Sequence, residues 1–156
     1  MFLLYRDDSV LVEEEWGVVY KTVLRSRKQF WKVYTPAELI KREAKALQLL
    51  EWVEWVQRLV SMDNEVLKTY LVLWIPLRTM DRRRTYAKMA SNILNNMNKA
   101  WVIKILGGSS DVIVTDNGIT FIDFGNIVFQ DESVVKRILW RVWQDAKIHL
   151  LFKDRV

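Results

Sequence analysis

The sequence predicts an α+β fold in which strand-rich and helical stretches alternate, and three observations predict it. Residues 2 to 34 are rich in β-branched and aromatic residues and contain Gly17. Thr35-Pro-Ala-Glu38 then reads as a capping box with proline at the first helical position. Further on, Asp111-Val-Ile-Val-Thr and Ile119-Thr-Phe-Ile-Asp123 are two β-prone runs around Asp116-Asn117-Gly118, which is hairpin-turn chemistry.

Taken in order, Val18-Val-Tyr-Lys-Thr-Val-Leu24 and Gln29-Phe-Trp-Lys-Val-Tyr34 have strand composition. The capped helix runs from Thr35 to about Trp55, and residues 66 to 75 return to strand, which Pro76 ends. A long amphipathic helix covers Tyr86 to about Ile103, with Tyr86, Met89, Ala90, Ile93, Met97 and Trp101 on one face. Gly107-Gly108 stops it, and the hairpin follows. A last helix spans about Glu132 to Phe152 and turns Val135, Ile138, Leu139, Val142, Ala146 and Leu150 inward. The segment from Pro76 to Arg84 is the candidate hinge, and the expected division is residues 1–77 and 78–156.

A chain of 156 residues suits one ordinary domain or two small lobes. A hydrophobic share of 51% supports a substantial core, which the eight Trp are expected to fill. An exposed set, such as Trp52, Trp55 or Trp140, would instead mark a partner surface. The net charge of +5 gathers in clusters, Arg25-Ser-Arg27-Lys28 and Arg82-Arg-Arg84. Such clusters suit phosphate or nucleic acid, or are simply a solvated face. The absence of Cys excludes disulfides, thiol nucleophiles and thiolate metal sites. A single histidine, His149, excludes multi-histidine metal motifs and is expected to be a helix residue. The longest apolar run, Tyr70-Leu-Val-Leu-Trp-Ile75, is too short to cross a membrane. Charges follow Met1-Phe-Leu-Leu at once, so it does not read as a signal peptide, and the expected location is the cytoplasm.

Two charge placements carry the functional reading. Glu43 shares a helical face with Leu39 and Leu47, where a carboxylate is costly unless paired. Lys32 alternates with Phe30 and Tyr34 on the preceding strand, so a Lys32–Glu43 pair would satisfy both residues, unless Lys32 snorkels to water. In the hairpin, folding about Asn117 brings Asp111 opposite Asp123 to within about one residue. Like charges across a ladder repel, so the pair is expected to hold a cation. Hard oxygen ligands that leave room for phosphate indicate magnesium.

The order of these features resembles the protein-kinase-like fold in a minimal form, a small β-rich N-lobe with a reduced helical C-lobe. It is most similar to the small atypical kinases: the KEOPS-complex kinase, the RIO kinases and the lipopolysaccharide kinases. Lys32-Val-Tyr-Thr-Pro followed by Lys41-Arg-Glu43-Ala-Lys-Ala-Leu47 carries part of the resemblance, and Ser110-Asp111-Val-Ile-Val with Ile122-Asp123-Phe-Gly125 carries the rest. The resemblance implies binding of ATP and Mg2+. Lys32 would contact the phosphates, Glu43 would hold Lys32, and Asp123 would bind magnesium, with Asp111 in place of the usual second metal ligand Asn. Leu73, Trp74 and Ile75 would meet the adenine, and Gly17 would serve the phosphate loop.

The chain also departs from that pattern. In Lys104-Ile-Leu-Gly-Gly-Ser-Ser-Asp111, Lys104 stands at the His and Leu106 at the Asp of H-x-D-x-x-x-x-N. Leucine cannot accept a proton. Gly17 is preceded by Glu13-Glu-Glu15, carboxylates that would repel a nucleotide unless they face solvent. Two readings follow: a minimal ATP-dependent phosphotransferase, acting on a Ser/Thr hydroxyl or on itself, and a pseudokinase that binds or scaffolds a protein partner without efficient transfer. A distant third is a nucleic-acid-binding domain using Arg78, Arg82, Arg83, Arg84 and Lys88.

Overall fold

The computed structural model describes residues 1–29, 32–63, 65–73, 75–76, 84–106, 111–115, 118–129, 143–144, 147–148 and 150–152, with the backbone alone at 75, 76, 84 and 85. They divide into two compact units, Met1–Gln48 with Gln57–Val72, and Leu49–Val56 with Leu73–Val156.

The first unit is built on five antiparallel strands: β1 (Phe2–Arg6), β2 (Val10–Glu15), β3 (Val18–Val23), β6 (Leu59–Asp63) and β7 (Val66–Tyr70), in the order β1-β2-β3-β7-β6. Two tight turns set its register. Glu15 pairs with Val18 across a two-residue turn, in which Trp16 and Gly17 both have positive φ (54° and 78°), as a primed hairpin turn requires. Between β1 and β2 the work falls to Asp7. Its Oδ1 accepts the N–H groups of Ser9 (2.7 Å) and Val10 (2.9 Å), and its Oδ2 accepts the Tyr5 hydroxyl (2.8 Å). A short hairpin of β4 (Arg27–Gln29) and β5 (Lys32–Tyr34) leads into helix α1 (Pro36–Leu49). The capping box forms as expected: Glu38 N–H donates to Thr35 Oγ1 (3.2 Å), and Thr35 N–H to Glu38 Oε1 (3.3 Å). The helix stops at Leu49 rather than near Trp55.

In the second unit, helix α2 (Arg84–Lys99) buries Ala90, Ile93, Leu94 and Met97. It was expected to run to Ile103. Instead Trp101 takes a positive φ of 74°, and Val102–Lys104 forms strand β9, paired with β12 (Ile127–Phe129). Strand pairing overrides helical periodicity there, because Val102 and Ile103 are fully buried as strand residues. The expected hairpin is present as β10 (Val112–Thr115) and β11 (Gly118–Phe121), with β8 (Ile75–Pro76) on the other side of β10. Val56 bridges to Phe121, whose N–H donates to Trp55 O (2.9 Å).

The core is aliphatic and phenylalanine-rich, not tryptophan-rich. Phe121, Phe124, Phe129 and Phe152 are buried, whereas Trp16 (94% exposed), Trp52 (89%), Trp101 and Trp143 are exposed and Trp55 is half-buried. The expectation that tryptophan fills the core fails at every described Trp, because three of them (Trp16, Trp55 and Trp101) occupy positive-φ positions where the chain reverses. Asp116, Asn117, Gly107, Gly108, Trp140, His149 and most of the expected last helix lie outside the described residues; residues 143–144, 147–148 and 150–151 are helical. No helix among the described residues is long and apolar enough to cross a membrane.

Gly118 has φ +128°, and a Cβ there would meet Met89 Sδ at 2.7 Å. Gly118→Ala is expected to cost about 1–3 kcal/mol, chiefly through backbone strain, as read by denaturant unfolding. Asp7, although fully exposed, is held from 3.8 down to about 2, first by the Ser9 N–H and then by the Tyr5 hydroxyl, the Ser9 hydroxyl and the Val10 N–H. A folded-state value below the unfolded one gives stability that is present above the unfolded value and is lost on acidification through the folded one. The stability difference between wild type and Asp7→Asn should therefore be constant above about pH 4 and shrink as the pH falls toward about 2, as followed by urea melts across that range.

Candidate functional site

In the first unit a buried ion pair ties strand to helix. Glu43 is 2% exposed on the inner face of α1, beside Leu39, Ile40, Ala44 and Leu47. Its Oε1 lies 3.1 Å from Nζ of Lys21 on β3, with the two side chains 3% and 19% exposed. Strand alternation explains the choice, since Lys21 shares the face of Val19, which is buried. The buried acid is the expected Glu43, but its cation is Lys21 and not the expected Lys32. Lys32 is 66% exposed, its ammonium 3.8 Å from Glu38 Oε2 and 5.0 Å from the centre of the Tyr34 ring. It does share a side of the hairpin with Tyr34, but its long stem carries the charge over the ring and out to water. Lys21 was legible as the one cation in a β-branched run, on the same parity as Val19 and Val23.

Gly17, the glycine expected to serve a phosphate loop, lies in the turn between β2 and β3. It supplies the second positive φ of the β2–β3 turn, its N–H donates to Glu14 Oε1 (2.9 Å), and its carbonyl accepts from Leu71 N–H (2.9 Å). Its amide is therefore already engaged with a carboxylate. Leu73 is 82% exposed, the backbone of Ile75 pairs with Val114, and Trp74 lies outside the described residues.

In the second unit the hairpin register places Asp111 one residue from opposite Asp123. Val112 faces Phe121, and Ile122 N–H donates to Asp111 O (2.9 Å). Asp123 is exposed, with φ +61°, and its Oδ1 accepts Gly125 N–H (3.2 Å). The local Asx turn makes that left-handed backbone acceptable to an aspartate. Asp111 is 8% exposed.

A lysine, missed as a site residue, joins the two acids. Lys104 on β9 is fully buried, donates from Nζ to the Asp123 carbonyl, and stands 4.0 Å from Asp111 Oδ2 and 4.8 Å from the centre of the Phe124 ring. Its own carbonyl accepts from Gln144 Nε2 (2.7 Å). Two residues on, Leu106 is 1% exposed and offers a methyl-terminated side chain in the core. The signal was present in the sequence as a cation flanked by Val102, Ile103, Ile105 and Leu106.

Asp123, exposed just beyond the hairpin, is an oxygen donor of the kind that could take magnesium jointly with phosphate. Among the described residues no group of three or more His, Cys, Asp or Glu gathers to hold a metal. Magnesium commonly takes one or two carboxylates and completes its shell with phosphate oxygens and water. Of the basic residues in the nucleic-acid reading, only Lys88 has a described side chain. Arg78, Arg82 and Arg83 lie outside the described residues, while Lys88 lines a cavity of about 870 Å3 together with Trp52, Trp55, Asn92 and Asn96.

Comparison with known proteins agrees with the fold. No family model matches the chain, and no curated protein matches it by sequence. The structure is similar to that of a Rio2 kinase–ADP/Mg2+–phosphoaspartate complex from Chaetomium thermophilum, with TM-score 0.65 and 13% identity over 97% of this chain and 54% of that one. It is also similar to a second structure of the Rio2 kinase from the same organism, with TM-score 0.62, 13% identity and coverage of 97% and 58%. The chain therefore has an α+β, protein-kinase-like fold and spans little more than half the length of those two chains.

Lys21→Met is expected to cost about 2–4 kcal/mol, because it strips a buried carboxylate of that counter-charge. Lys32→Met should cost no more than about 0.5 kcal/mol, because its partner is exposed. A larger loss for Lys32→Met than for Lys21→Met in urea melts would reverse the assignment.

Proposed function

We propose that this chain binds a magnesium–nucleoside triphosphate. Lys21 meets the phosphates, Glu43 orients Lys21, and Asp123 holds the metal. The observation that carries this reading is the Lys21–Glu43 pair. An ammonium fixed by a buried acid, on the central strand of the five-stranded sheet, is the arrangement that a kinase-like fold uses to grip phosphate. Lys21 takes the role first given to Lys32, while Leu73 and Trp74 remain the candidates to meet the base. Magnesium, when bound, would neutralise charge on the phosphate oxygens beside Asp123.

Leu106 favours a binding or scaffolding role over efficient transfer. A buried leucine cannot take the proton of an attacking hydroxyl or orient it. Transfer still draws on positioning and electrostatics, so slow phosphorylation of a hydroxyl, including one on the chain itself, is compatible with the site. A protein substrate or partner, and a cytoplasmic setting, belong to the same reading.

The test is thermal shift with ATP and Mg2+, run beside transfer of labelled γ-phosphate. Wild type and Lys32→Ala should be stabilised alike, and Lys21→Ala and Asp123→Asn should lose most of the shift. Labelled product is expected to be slight or absent. No ATP-dependent shift in wild type overturns the reading, and rapid labelling overturns the role given to Leu106.

A further inference from the structure

We propose that the Lys104 ammonium occupies the place of a second divalent cation, so that the chain takes its nucleotide with one metal ion, on Asp123. This deepens the nucleotide reading and rests on it for the ligand, but the cation's role can be measured without nucleotide.

An ammonium with no access to water must be met by fixed oxygens or aromatic faces. Lys104 finds the Asp123 carbonyl, the face of Phe124 and, at 4.0 Å, Asp111 Oδ2. Asp111 is itself only 8% exposed, so its carboxylate serves a positive charge that is already built into the core. A magnesium ion bound to an oxygen stands about 2.1 Å from it. On the side of Oδ2 that faces Lys104, such an ion would lie about 2 Å from the ammonium, where repulsion between the two cations is prohibitive. The carboxylate of Asp111 and the backbone carbonyl of Asp123 thus face one cationic group that belongs to the chain and cannot dissociate as a metal can.

Asp123 differs in the respect that matters. Lys104 engages its backbone carbonyl, while its side chain is exposed. Fixing the carbonyl pins the backbone at φ +61° and sets the direction in which the carboxylate leaves the chain. Lys104 therefore plays two parts: counter-charge to Asp111 and positioning residue for Asp123.

The experiment titrates Mn2+ alone into the protein and follows free Mn2+ by electron paramagnetic resonance. Wild type should bind one ion weakly. Lys104→Met removes a positive charge and releases Asp111 as a ligand, so affinity should rise by about tenfold or more. The double variant Lys104→Met/Asp111→Asn should return to the wild-type value, and Lys99→Met, a lysine of the α2 end, should not depart from it. Asp111→Asn alone should change affinity by no more than about twofold, because Asp111 is not a ligand in wild type. Unchanged affinity in a folded Lys104→Met, or a tenfold loss in Asp111→Asn, overturns the proposal. If Lys104→Met does not fold, the Asp111→Asn arm decides alone. Should the Mn2+ pattern hold while ATP fails to bind, the nucleotide reading falls and the internal cation stands.

Discussion

A charge removed from water has to be met by an opposite charge or a fixed dipole, and this one constraint organises both units. In the first, Glu43 lies on the inner face of a helix that is otherwise apolar, and Lys21 reaches it from the adjacent sheet. Neither element could shift by a residue without separating the pair, so α1 and β3 are locked in register by electrostatics as much as by packing. In the second, Lys104 imposes the same demand, and the loop after β11 bends so that a carbonyl answers it. Apolar side chains supply most of the driving force for burial, and the charges choose among the ways of achieving it.

The two lysines solve one problem with opposite functional results. Lys21 keeps a fifth of its side chain exposed, so its side chain stays in reach of solvent while paired. Lys104 is sealed, so its charge acts only on what the chain itself places around it. The identity of the neighbouring residues decides this. Lys21 sits in a sheet with one face partly open, while Lys104 stands between Ile103 and Ile105 on a short strand that β12 covers.

Much of the architecture was legible because local chemistry and tertiary structure agree where the sequence is most explicit. The Thr35–Glu38 box, the hairpin around Gly118 and the burial of Glu43 all follow from rules acting over a few residues. Errors arose where a distant partner decides. Lys32 and Lys21 both interrupt β-prone runs, and the parity of Lys21 with Val19 and Val23 is a weaker signal than the packing of α1 that settles the pairing. Val102–Lys104 continues a helical pattern and becomes strand because β12 offers a ladder. β7 falls inside the expected strand, but β6 was missed because Val60 is its one β-branched residue and both Val60 and Met62 face outward. The tryptophans misled for a related reason: size predicts burial on average, but at these turns conformation takes precedence.

The left-handed backbone of Asp123 restricts that position before any chemistry does. Glycine, asparagine and aspartate tolerate such a φ, whereas most other side chains strain against it. Of the three, only aspartate carries charge. A glutamate, chemically the nearest relative, would bring the same carboxyl group on a backbone that resists the bend. The shape of the chain at this one residue thus selects the shorter acid, and the reach of its carboxylate is set by a torsion angle.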